Sequence, residues 1–464
     1  MRILVINGSP KGPMSVTLQY VAFIQKKRPD IVWEIVHAGK DIRRMERDGG
    51  AFDRVLRAVK AADGILWSSG VYMELVPYQL KRFIELIFER GAAKAFAGKY
   101  AASLTTSARW LDNLAHNYLQ AVSDDLGMRY CGFHSAEAED LEQEGERARL
   151  LLFADGFIDA AARRRPYVRR YPAVVRRPFT YEPGKPLNRI GAKGKRILVL
   201  TDCRAGETNL RRMIDRFKDS FADPVEEINL RDIRIAGGCT ACFRCAYDNR
   251  CMYEGADEYN AVLTRRILPA DVLIWAGSVA DRYLSSRWKL FLDRNFVYGH
   301  IPIYRGKQLG VIVSGPLSQV PTLREPLEQG QDWHRSNLVD FVSDECGDSE
   351  TLDALLSQLA ADCVRCAESG YIRTPTFAYV GVSKLIRDEL WRYQRAIMKA
   401  DDRYYASHGL YDFPRMPLKY RILGTLYGMR WFRNFLHRQR KLDAILIEPH
   451  QQIVRQCGKE PPCR

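Results

Sequence analysis

The sequence predicts two tandem doubly wound α/β domains, each a parallel sheet wrapped by helices, followed by a helical extension. Three observations carry that expectation. Short Val/Ile/Leu runs alternate with amphipathic stretches over about the first 370 residues, the pattern of buried parallel strands joined by helical crossovers. The strand string RILVI at 2–6 returns as RILVL at 196–200, 194 positions on. Later landmarks recur 208 positions apart: ADGILW at 62–67 with ADVLIW at 270–275, KRFIE from Lys81 with KLFLD from Lys289, and Gly98-Lys99 with Gly306-Lys307.

The offset lengthens by 14 residues between the first and second strand landmarks, so the second copy carries an insertion there. The expected organisation is a first domain over 1–162, a basic Pro/Arg-rich linker over 163–194, a second domain over 195–374 and an extension over 375–464. Seven arginines between Arg163 and Arg177 give the linker two readings: a solvated connector, or a strip that docks an acidic partner or the other domain. The extension interleaves Lys419, Arg421, Arg430, Arg433 and Arg438 with Tyr420, Tyr427, Trp431 and Phe435. That pattern suits either a helical arm packed on protein or peripheral contact with a membrane surface.

Hydrophobic content of 46% and charged content of 27% are those of a globular chain. No stretch reaches 18 consecutive apolar residues, which excludes a simple spanning helix. The opening MRILVINGSP lacks the build of a signal peptide, so a cytoplasmic location is expected, and reduced thiols with it. A net charge of +15 is compatible with nucleic acid, membranes, acidic redox partners or phosphate-bearing cofactors. No helix-turn-helix, zinc-finger or RNA-binding signature accompanies it, and no nucleic-acid partner is expected.

NGSPKGPMSVTLQYV, from Asn7, follows the first strand and opens the first helix, where a doubly wound sheet presents backbone amides and a helix amino terminus to an anion. Gly8 permits the turn, Ser9, Ser15 and Thr17 offer hydroxyls, and Lys11 adds charge. The string fits neither a Walker loop nor G-x-G-x-x-G.

GSPKGPMSVT, the SSGVY turn after GILW and the second half together resemble the flavodoxin-like NADPH-dependent FMN reductase superfamily, and in particular its iron-sulfur flavoprotein branch. The resemblance covers about the first 370 residues. It implies FMN, with Ser9, Lys11, Ser15 and Thr17 on the phosphate, Ser69, Gly70, Val71 and Tyr72 flanking the flavin, and Thr105, Thr106 and Ser107 closing over it. Gly70 before Val71 departs from the Pro-Val-Tyr usual in that family. In the second half the corresponding residues are Arg204, Thr208 and Asn209, then Gly277, Ser278 and Val279, then Ser314 and Gly315, without the Gly-Ser-Pro opening.

Four of the eleven cysteines, Cys239, Cys242, Cys245 and Cys251, lie in the insertion as C-x2-C-x2-C-x5-C. Four thiolates so spaced can wrap one cubane. Zinc also accepts four thiolates, although zinc ribbons separate their knuckles by about fifteen residues. Three readings stay open: a [4Fe-4S] cluster, as the resemblance implies, zinc, or reduced thiols. Cys363 and Cys366 share a helical face and read as buried thiols, while Cys457 and Cys463 fall in a polar terminus. His116 and His300 read as structural, with a role beside a flavin as the alternative.

The function these features imply is an NAD(P)H-dependent FMN oxidoreductase that relays electrons through the cluster to a small-molecule or redox-protein acceptor. Relatives that work as dimers suggest a covalent pseudo-dimer, with flavin from the first half near the cluster of the second, or else a homodimer. The alternative is a noncatalytic scaffold that binds an acidic partner or membrane surface through its basic linker and tail.

Overall fold

The computed structural model describes residues 1–438, 447, 448 and 450–455. The chain divides into two compact units, Met1–His408 and Gly409–Arg464.

In the first half, β1 (Arg2–Asn7) leads to α1 (Val16–Lys27) and β2 (Val32–Val36). Two helices follow, α2 (Ala38–Arg47) and α3 (Gly49–Ala61), before β3 (Gly64–Gly70). Then come α4 (Tyr78–Glu89), β4 (Tyr100–Thr106), α5 (Asp112–Asp125), β5 (Arg129–Ala136) and α6 (Glu144–Ala162). All strands pair in parallel, in the order β2-β1-β3-β4-β5. Ile3, Leu4, Val5 and Ile6 are fully buried, because helices cover both faces of the sheet.

The second half repeats this plan. β6 (Ile197–Thr201), α7 (Thr208–Asp219) and β7 (Glu226–Asn229) precede the cysteine segment. After it come α8 (Tyr259–Val262), continued by one π-helical turn at Leu263–Ile267, then β8 (Val272–Ser278) and α9 (Ser286–Arg294). β9 (Gln308–Ser314), α10 (Pro321–Trp333), β10 (Asn337–Ser343) and α11 (Ser349–Ser369) complete it. Its order, β7-β6-β8-β9-β10, is that of the first sheet. Both sheets have the doubly wound order of flavodoxins, and the 208-residue echo corresponds to β3 with β8 and α4 with α9.

α4 and α9 pack on each other, and one apolar core runs from Leu80 and Phe83 to Trp275 and Trp288. The two sheets therefore belong to one compact unit. α12 (Phe377–Arg392) and α13 (Lys399–Ser407), which the sequence grouped with the extension, fall within the same unit, and α12 packs on α10.

The linker has almost no regular structure, yet it is not a free connector. Its Tyr181 is fully buried, the Arg170 and Tyr171 amides donate to Asp124, and Arg169 donates to Asp125 at 2.5 Å. The strip docks on its own chain.

The second unit holds α14 (Leu418–Gly428) and α15 (Arg430–Arg438), with Leu418, Tyr420, Ile422 and Trp431 exposed. No described helix is long and apolar enough to cross a membrane. Cys457 and Cys463 lie outside the described residues.

Candidate functional site

The loop after β1 is folded tightly on itself. Asn7 Oδ1 accepts from the Ser9 amide at 3.1 Å and Ser9 Oγ from the Lys11 amide at 3.3 Å, while Gly12 takes φ +56°. Ser9, Ser15 and Thr17 are buried. Ser15 is the N-cap of α1 but makes no side-chain cap bond, so its hydroxyl and the first amides of a 12-residue helix are left without intrahelical partners. Lys11 forms no ion pair among the described residues; its Nζ lies 5.4 Å from the centre of the Phe243 ring. A Cβ at Gly39 would lie 2.1 Å from the Gly8 carbonyl oxygen, so α2 can approach this loop only with glycine there.

The other two loops meet the first. Thr17 Oγ1 and Thr106 Oγ1 are 2.6 Å apart, the Val71 amide donates to the Thr106 carbonyl at 3.1 Å, and Ser69 Oγ donates to the Gly70 carbonyl at 2.9 Å. Thr105 is buried, and the Ser107 amide donates to Ala136. Met73 and Glu74 take φ +44° and +59°, and Arg109 and Leu111 take +55° and +49°. Such left-handed non-glycine residues are strained and cluster at ligand sites. Trp110 Nε1, between the last two, is buried without a partner among the described residues. Buried hydroxyls, an unpaired lysine, a free helix terminus and an orphaned donor at the carboxyl edge of one sheet suit a phosphate-bearing flavin.

The cysteine segment faces this edge across a cavity of about 460 Å³. Val71, Tyr72, Phe243, Phe296, His300 and all four of Cys239, Cys242, Cys245 and Cys251 line it. Gln79 Nε2 on α4 donates to the Cys239 carbonyl at 3.4 Å, and Arg43 on α2 donates to the Ala236 carbonyl. A Cβ at Gly238 would sit 2.7 Å from Cδ1 of Tyr78. The segment thus docks against the first half.

A buried ion pair fixes where the segment starts. Arg294 Nη1 donates to Asp257 at 2.6 Å and to the Gly237 carbonyl at 3.0 Å, and Asp257 also accepts from the Ala236 amide at 2.9 Å. The guanidinium lies over the Tyr253 and Tyr259 rings, 4.8 and 4.6 Å from their centres. Opposite, His300 Nδ1 and Asp401 Oδ2 are 2.8 Å apart, which holds α13 and the turn before it as a wall of the cavity.

None of the four thiols is in a disulfide. Burial pushes Cys239 up to about 12 and Cys245 up to about 11, and it raises Tyr72 with help from the nearby Cys239. Cys239 Sγ accepts from the Ala241 amide at 3.3 Å, and Cys245 Sγ is directed at the Phe296 carbonyl at 3.5 Å. The donor set suits an iron-sulfur cluster or zinc. In this arrangement, among the described residues, no three His, Cys, Asp or Glu side chains stand grouped as ligands of one ion.

His116 is structural: Ser103, Thr105 and Ser135 hydroxyls surround its ring nitrogens at 2.6–2.9 Å. Cys363 and Cys366 are buried in α11. The second-half residues do not form a matching cradle. Arg204 and Thr208 are exposed, and the Arg204 amide is bonded to Glu207 at 2.5 Å. Gly277 is pressed against Trp288, Ser278 and Val279 line a groove with Asp202 and Asp281, and Asn209, Ser314 and Gly315 face the linker. Sequence reasoning missed Asp257, Arg294, Phe296 and Asp401; only the pairings of Asp257 with Arg294 and His300 with Asp401, and the contact of Phe296 with Tyr72, give them meaning.

Sheet order and loop geometry define a doubly wound protein of flavodoxin type, with one edge whose buried hydroxyls and uncapped helix start suit an anion. Residues 1–132 match the family model described as NADPH-dependent FMN reductase. An iron-sulfur flavoprotein of Archaeoglobus fulgidus is 26% identical over 193 residues, 40% of this chain and 84% of that one. Among solved structures, the flavoenzyme NAD(P)H:(acceptor) oxidoreductase of Paracoccus denitrificans is 20% identical, covering 35% of this chain and 97% of its own, with a TM-score of 0.31. General stress protein 14 of Treponema denticola, in complex with FMN, is 13% identical, covering 36% and 100%, with a TM-score of 0.28.

Proposed function

We propose that this chain is an NAD(P)H-dependent FMN oxidoreductase in which a flavin on the first sheet lies beside a [4Fe-4S] cluster held by the second half. The observation that carries it is that Tyr72 and all four cysteines line one cavity. Ser9, Lys11, Ser15 and Thr17 bind the phosphate, Ser69, Gly70, Val71 and Tyr72 flank the ring, and Thr105, Thr106 and Ser107 close the third side. Cys239, Cys242, Cys245 and Cys251 hold the cluster as thiolates. Bound flavin accepts a hydride from NAD(P)H, and a cluster passes electrons on singly.

The chain's own residues orient and exclude. Tyr72 packs edge-on to Phe296, 5.4 Å between centres, and with the His300–Asp401 wall it would flank a bound flavin and cluster. Because both halves share one core, the chain supplies for itself the juxtaposition that a homodimer would need, in keeping with a covalent pseudo-dimer. The acceptor is a small molecule or a redox protein. The experiment is purification without oxygen, with flavin, iron and sulfide counted per chain. Flavin with about four irons supports the relay, flavin without iron leaves a simple FMN reductase, and absence of flavin defeats the proposal.

A further inference from the structure

At the carboxyl ends of β6, β8 and β9 the second sheet presents the edge that carries the flavin loops in the first. The residues expected to serve a cofactor there are bound to the chain itself. Asn209 Oδ1 accepts from the Tyr181 amide, and its Nδ2 donates to the Phe179 carbonyl and to Asp344, all at 3.0 Å. Ser314 Oγ donates to Asp344 Oδ2 at 2.8 Å, and the Gly315 amide donates to Oδ1 at 2.6 Å. A hydroxyl and a backbone amide converging on one anionic group are what a flavin loop offers a ligand. Here the buried carboxylate of Asp344 takes them and leaves a negative charge where a phosphate or flavin oxygen would approach.

The linker lies over this edge as a strap. Gln319 grips Val175 by both backbone groups, Oε1 accepting from its amide at 2.8 Å and Nε2 donating to its carbonyl at 3.0 Å. Arg176 donates to the Val279 carbonyl, in the second flavin loop. Tyr181 is sunk in the core of the second half with its hydroxyl on Asp353, and the Gly184 amide donates to the same carboxylate at 2.8 Å. A groove of about 490 Å³ remains beside the strap, but both Asp344 and Glu345 line it. In the first half the third loop also meets a buried carboxylate, Asp140, which accepts from Arg109 at 2.8 Å and from the Glu137 amide at 2.9 Å, but among the described residues Ser15 makes no side-chain cap bond and Lys11 has no ion-pair partner.

We propose that residues 175–181 are the resident ligand of the second sheet's crevice, so that each chain holds one FMN, on the first sheet. The second half then serves as a platform for the cysteine segment. This rests on the reading of the first half as an FMN site.

The test uses the full chain, with released flavin counted against protein and with amide hydrogen exchange followed over 174–182. Expected are one FMN per chain, a fall to below about a tenth of that in Thr17→Val with Ser15→Ala, and no change in Asn209→Ala. Amides of 174–182 should be protected, and added FMN should not deprotect them. Asp344→Ala should speed their exchange at least about tenfold. Two flavins per chain, flavin lost only with Asn209→Ala, or a strap that is unprotected or displaced by FMN would overturn the inference. Wild-type chain with no flavin would instead defeat the reading of the first half, while strap protection would still decide the inference.

Discussion

Lys289 on α9 donates to the carbonyl of Tyr72 at 2.6 Å, and 208 positions earlier Lys81 on α4 donates to the carbonyl of Ala280 at 2.9 Å. Each lysine of one half thus holds the loop after the third strand of the other, after β3 for Lys289 and after β8 for Lys81. The reciprocity extends to the carboxylates: Asp293 accepts from the Tyr78 amide, and Glu85 from that of Ser286. Residue i meets j and j meets i, as in a two-fold symmetric interface, here closed within one chain.

Both lysines are fully buried, and burial raises Asp293 to about 6 against the pull of Lys289. Lys289→Met leaves that carboxylate and the Tyr72 carbonyl without their partner. A loss of about 3–5 kcal/mol is expected, the range for breaking a buried pair from one side. Denaturant unfolding monitored by tryptophan fluorescence measures it; a loss under about 1 kcal/mol would show that the contact contributes little.

On the proposed cluster, which would need all four ligands, Cys239→Ser and Cys251→Ser should each lower iron from about four per chain to less than one, while flavin content holds. Flavin lost along with iron would mean that the segment supports the first-sheet loops rather than a separate centre.

Arg294→Met should unseat the start of the cysteine segment, because Asp257 is then a buried, unpaired carboxylate that still binds the Ala236 amide. The expected loss is again about 3–5 kcal/mol. Restoring neutrality with Asp257→Asn in the same chain should recover part of it, and a double-mutant cycle on unfolding free energy reads the coupling.

On the acid side of neutrality two contributions to stability run in opposite directions. Burial holds His116 and His334 neutral, lowering each to about 3. The unfolded chain therefore takes up protons first, and stability is lost as pH drops below about 6.5, by about 2 kcal/mol per group near pH 5. Glu74 runs the other way: burial, opposed by Lys289, raises it to about 7, so its contribution is present in acid and is lost as pH rises from about 4.5 through 7. In urea titrations across pH 4.5–8, His334→Gln should reduce the loss of stability on acidification, and Glu74→Gln, by removing an opposing contribution, should enlarge it. Unchanged slopes in both would contradict these protonation states.

The sequence by itself determined what depends on local pattern. Apolar runs of five to seven residues followed by helical periodicity specify strands in a doubly wound sheet, and the β3 and β8 echoes locate the repeat. C-x2-C-x2-C-x5-C brings four thiols into one short segment because its gaps are short. The tertiary structure decided what depends on meetings between residues far apart: which half's loops face the cysteines, that Asp257 and Asp401 are partners of Arg294 and His300, and that an arginine-rich linker lies on Asn209 and beside Asp344. Asn209 illustrates the difference. Its position after β6 is the same whether it binds a cofactor or Tyr181, and the choice is made by a hydrogen bond spanning 28 residues. Spacing records which groups a loop carries; which partners those groups meet is set only when the fold brings distant segments together.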